Sequence, residues 1–283
     1  MRDQVKIFAF TDEAGNTLEQ QMNAMKRNGL HGMEMRFING HNVSALPLEQ
    51  AREIKKVLDG EGLTVWSLGS PIGKIGIRDD FAPHLDQFKY TLDVAYTLQA
   101  ENIRMFSFYM EGGKDPAIFR DEVLERLAKL LEAAKGSNIN LCHENEKGIY
   151  GDNAARCADI LSQLPELKAV FDPANFVQCG QDTLEAWQLL ADRIHYMHIK
   201  DALEDGSVVP AGCGNGHVPE IVAEYIARGG RALSVEPHLQ VFKGLDTLEA
   251  EGQRTKLGKY EYPDADTAFD AACSAIKAIV EKI

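Results

Sequence analysis

Four short stretches of this chain end in side chains that hold hard metal ions: Cys-His-Glu-Asn at 142–145, Phe-Asp-Pro-Ala-Asn at 171–175, His-Ile-Lys-Asp at 198–201 and Val-Glu-Pro-His at 235–238. Each closes an apolar run, so Glu144, Asp172, His198 and Glu236 stand where a buried strand gives way to a loop. They are separated by 28, 26 and 38 residues. A strand–helix–strand unit that returns the chain to a parallel position takes about 30 residues. Successive units of that length bring successive strand ends side by side, and four ligands then converge. Three carboxylates and one imidazole make a mainly oxygen site. It suits a divalent ion with open positions: manganese foremost, with magnesium, cobalt or zinc as alternatives. The plainer reading is that such acids are helix caps or mouth ion pairs, with Arg36 or Lys200 as their partners. Four in consecutive units weigh against it.

The elements that must position these residues are legible as alternating β-branched or aromatic runs and amphipathic stretches. Strands are expected at 5–10, 32–37, 64–69, 102–109, 138–144, 167–171, 194–199 and 231–235. Helices are expected at 17–28, 47–59, 82–99, 121–134, 153–161, 183–190, 219–227 and 264–281. Strict alternation implies parallel strands, because each crossover helix returns the chain in the same direction. Eight units can close into an α/β barrel, whose chemistry sits at the carboxyl ends of the strands. The open doubly wound sheet is disfavoured, since Thr-Asp-Glu-Ala-Gly follows the first strand in place of a glycine-rich phosphate fingerprint. No linker divides the chain, so one domain over 1–283 is expected. Period-two alternation along 194–199 directs Tyr196, His198 and Lys200 to one face and His195 to the other, making His198 the ligand.

Composition bounds the partners. The 283 residues carry 30 Lys plus Arg against 43 Asp plus Glu, a net charge of −13. This argues against nucleic acid and against an anionic membrane surface. The five cysteines are odd in number and include no CxxC pair, and the first residues lack the layout of a signal peptide. A soluble cytoplasmic protein is expected, with a homo-oligomer left open. A site with ligand charge −3 around a divalent ion favours neutral sugars or polyols. Arg36, Trp66 and Lys74 are candidates for the rim of such a pocket, and His143 and His238 stand beside ligands. The loop 211–220, rich in glycine before a helix, is either an anion cradle for a phosphorylated substrate or a turn that needs positive φ angles.

The order Glu, Asp, His, Glu on strands five to eight resembles the xylose isomerase-like TIM-barrel superfamily of sugar phosphate isomerases and epimerases. The resemblance rests on His143-Glu144-Asn145, Asp172-Pro173-Ala174-Asn175, His198-Ile199-Lys200-Asp201 and Glu236-Pro237-His238. It extends to Glu34-Met35-Arg36 and to 69–74. It implies a (β/α)8 barrel in which Glu144 and Glu236, besides binding metal, pass a proton to and from the carbon next to a carbonyl through an enediolate. Compared with the ketose 3-epimerases of that superfamily, Asn175 replaces a histidine, Tyr150 a glutamate and Glu204 an arginine. The lysine after the ligand histidine is more like the inosose dehydratase branches, which makes Lys200 a candidate proton donor or carbonyl-polarising cation, and Asn175 is kept as a substrate contact. The principal expectation is a sugar or sugar phosphate isomerase or epimerase. The alternatives are a lyase or dehydratase of the inosose or 3-keto-glycoside type, a non-catalytic sugar-binding barrel, and a nuclease like endonuclease IV, which the acidity disfavours.

Overall fold

The computed structural model describes residues 5–240, 256–257 and 260–283. Eight parallel strands close a barrel: β1 (Lys6–Ala9), β2 (Gly32–Met35), β3 (Thr64–Gly69), β4 (Asn102–Met105), β5 (Asn140–Glu144), β6 (Lys168–Phe171), β7 (Ile194–Ile199) and β8 (Ala232–Val235). Each strand pairs with its neighbours in sequence, and β8 closes on β1 with Lys6 opposite Ala232 and Ala9 opposite Val235. The helices between them are α1 (Leu18–Arg27), α2 (Leu48–Gly60), α3 (Phe81–Leu98), α4 (Arg120–Ala134), α5 (Ala154–Gln163), α6 (Pro173–Gln178), α7 (Thr183–Leu190) and α8 (Val218–Ala227), with α9 (Ala265–Val280) last. Their starts are written in the sequence. Thr17 and Gln20 form a reciprocal capping box, and Asn153, Asp182 and Asp264 accept backbone N–H groups at the heads of α5, α7 and α9. Among the described residues no helix is long and apolar enough to cross a membrane.

The differences from the sequence reading lie mostly in the loops above the strands. β4 ends at Met105 rather than 109, because the chain beyond it pairs with the loop after β3: Phe106 N–H donates to Ile72, Phe108 N–H to Gly73 and Tyr109 N–H to Ile75. Gly73 has φ +89°, and a Cβ there would lie 2.1 Å from the Phe106 carbonyl oxygen, so this close approach requires glycine. The short helix α6 went unforeseen; it opens directly on Pro173 after Asp172. A small antiparallel pair, Asp201–Ala202 with Ser207–Val209, stands above β7.

Two register shifts decide which side chains enter the barrel. One lies between Met33 and Glu34 against β3, the other between Ala169 and Val170 against β7. Each absorbs an extra residue, so strict alternation fails locally. Alternation assigned His195 to the face opposite Tyr196. Instead His195 stacks on Trp66 with ring centroids 5.9 Å apart, and its Nε2 lies 2.9 Å from Asn102 Oδ1. Phe8, Trp66, Cys142, Val170, Tyr196 and Ala232 pack together as an apolar cluster of their own. Cys142, Val170 and Tyr196 each stand two residues before Glu144, Asp172 and His198, so the cluster forms the layer beneath them, toward the amino-terminal end of the barrel.

Candidate metal centre at the barrel mouth

The last interior positions of β5 and β7, and the residues just after β6 and β8, bring together Glu144, His198, Asp172 and Glu236. All four are buried, and each offers one ligand atom lying within 4.8 Å of the others. His198 Nδ1 is 2.9 Å from Glu144 Oε1, 3.8 Å from Glu236 Oε2 and 3.9 Å from Asp172 Oδ2. Its other nitrogen, Nε2, lies 3.1 Å from Glu34 Oε2. Glu34 also accepts from Tyr196 Oη at 2.8 Å and from Ser67 Oγ at 3.3 Å. With a metal bound, an imidazole whose Nε2 proton goes to a carboxylate would offer Nδ1 as the ligand atom, the arrangement common behind metal-binding histidines. The set fits a divalent cation: three carboxylates and one oriented imidazole nitrogen face one point, at a size suited to oxygen-rich coordination.

Asp172 shows how one residue serves two needs. Its Oδ1 caps α6 by accepting from Asn175 N–H at 2.9 Å. Its Oδ2 faces the Lys200 ammonium at 3.0 Å and takes part in no hydrogen bond. Asn145 pins the same segment by exchanging two 2.9 Å bonds with the Asp172 backbone. Asn175 donates to Glu144 Oε1 at 3.2 Å and to the Asn145 carbonyl at 2.9 Å. It steadies a ligand rather than facing an open pocket.

Lys200 Nζ sits 2.8 Å from Glu236 Oε2. Burial alone would lower its pKa, but Asp172, Glu236, Glu144 and Glu146 outweigh it and hold the ammonium well above the usual lysine range. Burial likewise pushes Asp172 up to about 7 against the pull of Lys200, with Glu236 and Glu144 adding to the rise. Glu236 shows the reverse balance. Burial favours its acid form, yet Lys200, His238, His198 and Arg36 hold it well below the ordinary value. Burial would also lower His198, but Glu144 and Glu34 raise it well above the usual imidazole.

Beside Glu236 lies a second buried group. Arg36 reaches Glu236 Oε1 at 3.2 Å, Asp12 at 2.9 Å and Glu13 at 3.0 Å. His238 Nε2 is 3.5 Å from Glu236 Oε1, and its backbone N–H donates to Glu13 at 2.6 Å. Burial raises Glu13 to about 8 despite Arg36. Arg36 and His238 are both engaged with acids beside Glu236. Lys74 also reaches the mouth, with its ammonium 4.4 Å from the centroid of the Phe106 ring and 3.0 Å from Glu146.

Three expectations are corrected. Trp66 is not on the rim: it stacks on Phe8 at 4.8 Å in the lower half of the barrel, where the extra residue of β3 turns it inward. His143 does not face the pocket. Being one residue from Glu144, it points out of the barrel, where its Nε2 meets Ser107 Oγ at 2.9 Å, and burial lowers its pKa to about 3. The glycine-rich loop cradles an anion, but the anion is internal. The Asp201 carboxylate accepts from the N–H groups of Gly212, Gly214 and Gly216 at 2.9, 3.0 and 2.9 Å. A Cβ at Gly214 or Gly216 would lie 2.4 or 2.6 Å from its Oδ1, so close approach to Asp201 is what requires those glycines. These donors are thereby spent.

The model for the xylose isomerase-like TIM barrel matches residues 22–240. The chain belongs to this family. Similar solved structures include the IOLI protein with a binding zinc atom, at 13% identity and TM-score 0.74, covering 98% of this chain and 99% of that one. A probable 3-DHS dehydratase, AsbF from Bacillus anthracis, is 17% identical with TM-score 0.73, covering 96% and 99%. The 3-keto-D-glucoside 4-epimerase YcjR from E. coli is 15% identical with TM-score 0.67, covering 97% and 99%. At these identities the likeness is one of fold. No curated protein sequence matches the chain.

Sequence reasoning missed Glu34, Arg104, Asp12, Glu13 and Glu146 as parts of the mouth. Arg104 left the clearest signal, a charged residue inside an otherwise buried strand. Its Nε lies 3.2 Å from Glu144 Oε2.

Proposed function

We propose that this chain is a divalent-metal-dependent isomerase or epimerase of an uncharged ketose, inosose or keto-sugar, acting by proton transfer at the carbon next to a carbonyl. The observation that carries the reading is the convergence of Glu144 and Glu236 with Asp172 and His198 on one buried point. Glu144, Asp172, Glu236 and His198 Nδ1 would hold the ion, with manganese the first expectation. When bound, the ion supplies Lewis-acid polarisation of the substrate carbonyl. Glu144, on β5, and Glu236, just after β8, would stand on opposite sides of the substrate carbon. One removes the proton from the substrate carbon and the other returns a proton to the opposite face, through an enediolate. Lys200, held charged between Asp172 and Glu236, stabilises negative charge developing on the substrate oxygen.

The substrate reading follows from what the mouth has already engaged. Arg36, Arg104, Lys74 and Lys200 each face an internal carboxylate within 3.2 Å, and the glycine loop holds Asp201. This supports a neutral polyhydroxy carbonyl compound over a sugar phosphate. The dehydratase among the similar structures and the placing of Lys200 favour one second reading. If Lys200 Nζ gives its proton to a β-hydroxyl, that group leaves as water after the glutamate has taken the α-proton, and the product is an unsaturated ketone. Metal analysis of the purified protein and a solvent-deuterium screen over ketoses, inososes and 3-keto-sugars test the assignment. Exchange next to the carbonyl that needs the metal supports it, loss of water shifts it to the lyase, and bound metal with no exchange across the panel refutes it.

A further inference from the structure

Glu144 and Glu236 each pair through one oxygen with a different arginine, Arg36 by a hydrogen bond and Arg104 by an ion pair without one. Arg104, from β4, lies 3.2 Å from Glu144 Oε2, and Arg36, just after β2, lies 3.2 Å from Glu236 Oε1. The oxygens left over are the ones that turn to His198 and Lys200: Glu144 Oε1 at 2.9 Å from His198 Nδ1, and Glu236 Oε2 at 2.8 Å from Lys200 Nζ. Both guanidinium groups approach the Phe10 ring, and Arg104 lies closer still to the Phe106 ring, with its Cζ 4.5 Å from that centroid. The Arg36 Cζ atom is 4.5 Å from the Phe10 centroid and that of Arg104 is 5.4 Å away. The edge of the same ring meets His198, with centroids 5.1 Å apart. Phe10 has no exposed surface. Space for this meeting comes from Gly69 at the end of β3. A Cβ there would lie 2.4 Å from Phe10 Cε1, 3.2 Å from Arg104 Nη2 and 3.3 Å from Arg36 Cβ.

We infer that Phe10, Arg36, Arg104 and Gly69 form a positioning frame that sets the spacing of Glu144 and Glu236 about the ligand point. The physical reason is rigidity. A carboxylate on its own side chain has free torsions, whereas one paired with a guanidinium that is itself packed against a buried ring has fewer. A single ring shared by both arginines makes the two glutamates one unit, since displacing Phe10 moves both grips. Gly69 contributes by lacking a side chain, and its replacement disturbs the unit without removing a charge or a ligand atom. These are positioning residues; none need touch the substrate. The inference rests on the metal and acid–base reading given above, and the experiment separates the two.

Manganese affinity is measured by titration calorimetry on the full chain for the wild type, Gly69→Ala and Arg104→Lys, with circular dichroism and melting curves to establish folding. Outer partners of metal ligands typically shift affinity by about 10–100-fold when altered, and a weakening of at least about 10-fold is expected in both variants. Arg104→Lys keeps the charge and loses the planar grip, so it separates positioning from simple electrostatics. Wild-type affinity in both folded variants overturns the frame. If Gly69→Ala does not fold, Phe10→Leu takes its place, removing the shared ring without introducing a clash. A second readout is the split between deuterium wash-in with retention and inversion. Disturbing one glutamate's grip should suppress inversion more than wash-in, whereas a general loss of structure lowers both alike, and an equal loss overturns the frame. A wild-type protein that binds manganese but exchanges nothing refutes the acid–base reading, while the affinity comparison still decides the frame.

Discussion

The two halves of the barrel interior are built from the same eight strands and filled in opposite ways. The lower half holds Phe8, Trp66, Cys142, Val170, Tyr196 and Ala232, with Trp66 stacked between Phe8 and His195. The upper half holds four ligand residues, Lys200, Glu34 and two arginines, all buried. Apolar packing is tolerant of exchange and stabilises in proportion to area removed from water. A buried charge cluster is not tolerant, because removing one partner strands another. The lower half should therefore govern stability and the upper half metal affinity and turnover. Tyr196 and Glu34 join the two at the boundary, 2.8 Å apart.

Asp172→Asn should have the largest effect. It removes a ligand charge while keeping the cap on α6, so metal content after dialysis should fall by more than the ~10–100-fold of an outer-partner change, and loss of the Lys200 partner should also lower the melting temperature. Glu34→Gln comes next. The histidine loses its charged acceptor, and manganese affinity measured by calorimetry should drop by about 10-fold or more. Retained affinity would show that Tyr196 and Ser67, not His198, are what Glu34 serves. Trp66→Ala tests the other half. Emptying its place should cost about 3–5 kcal/mol in denaturant unfolding, while metal bound per folded molecule stays at the wild-type level. His143→Gln should be mildest, costing about 1 kcal/mol for the bond to Ser107 and leaving exchange kinetics unchanged; a collapse of kcat there would return His143 to the site.

The sequence made the upper half unusually readable. Asp172, His198 and Glu236 are charged or polar residues closing apolar runs, and their spacing matches the strand–helix unit, so position along the chain translates into position at the mouth. The helices were readable for a related reason, since caps such as Thr17, Asn153 and Asp264 are local. What escaped is non-local or depends on register. Trp66 and His195 were misplaced because each lies beside a shift that breaks period two, and nothing in either residue's neighbours announces an extra residue. Asp201 was hidden because its partners are backbone amides 11 to 15 residues away, so the glycines left an outside anion and a positive-φ turn both open. Glu34 belongs to β2 and Arg104 to β4, outside the four stretches, although β4 pairs directly with β5, with Arg104 opposite Cys142. Closure of the barrel is what brings Glu34 to His198.

The central claim is that Glu236 transfers a proton as well as binding metal. Glu236→Gln should be loaded with manganese and followed by nuclear magnetic resonance in deuterium oxide with the substrate that the exchange screen identifies. Turnover should fall by at least about 100-fold while bound manganese decreases only in part, since Glu144, Asp172 and His198 remain. Undiminished turnover in the metal-loaded variant would contradict the account.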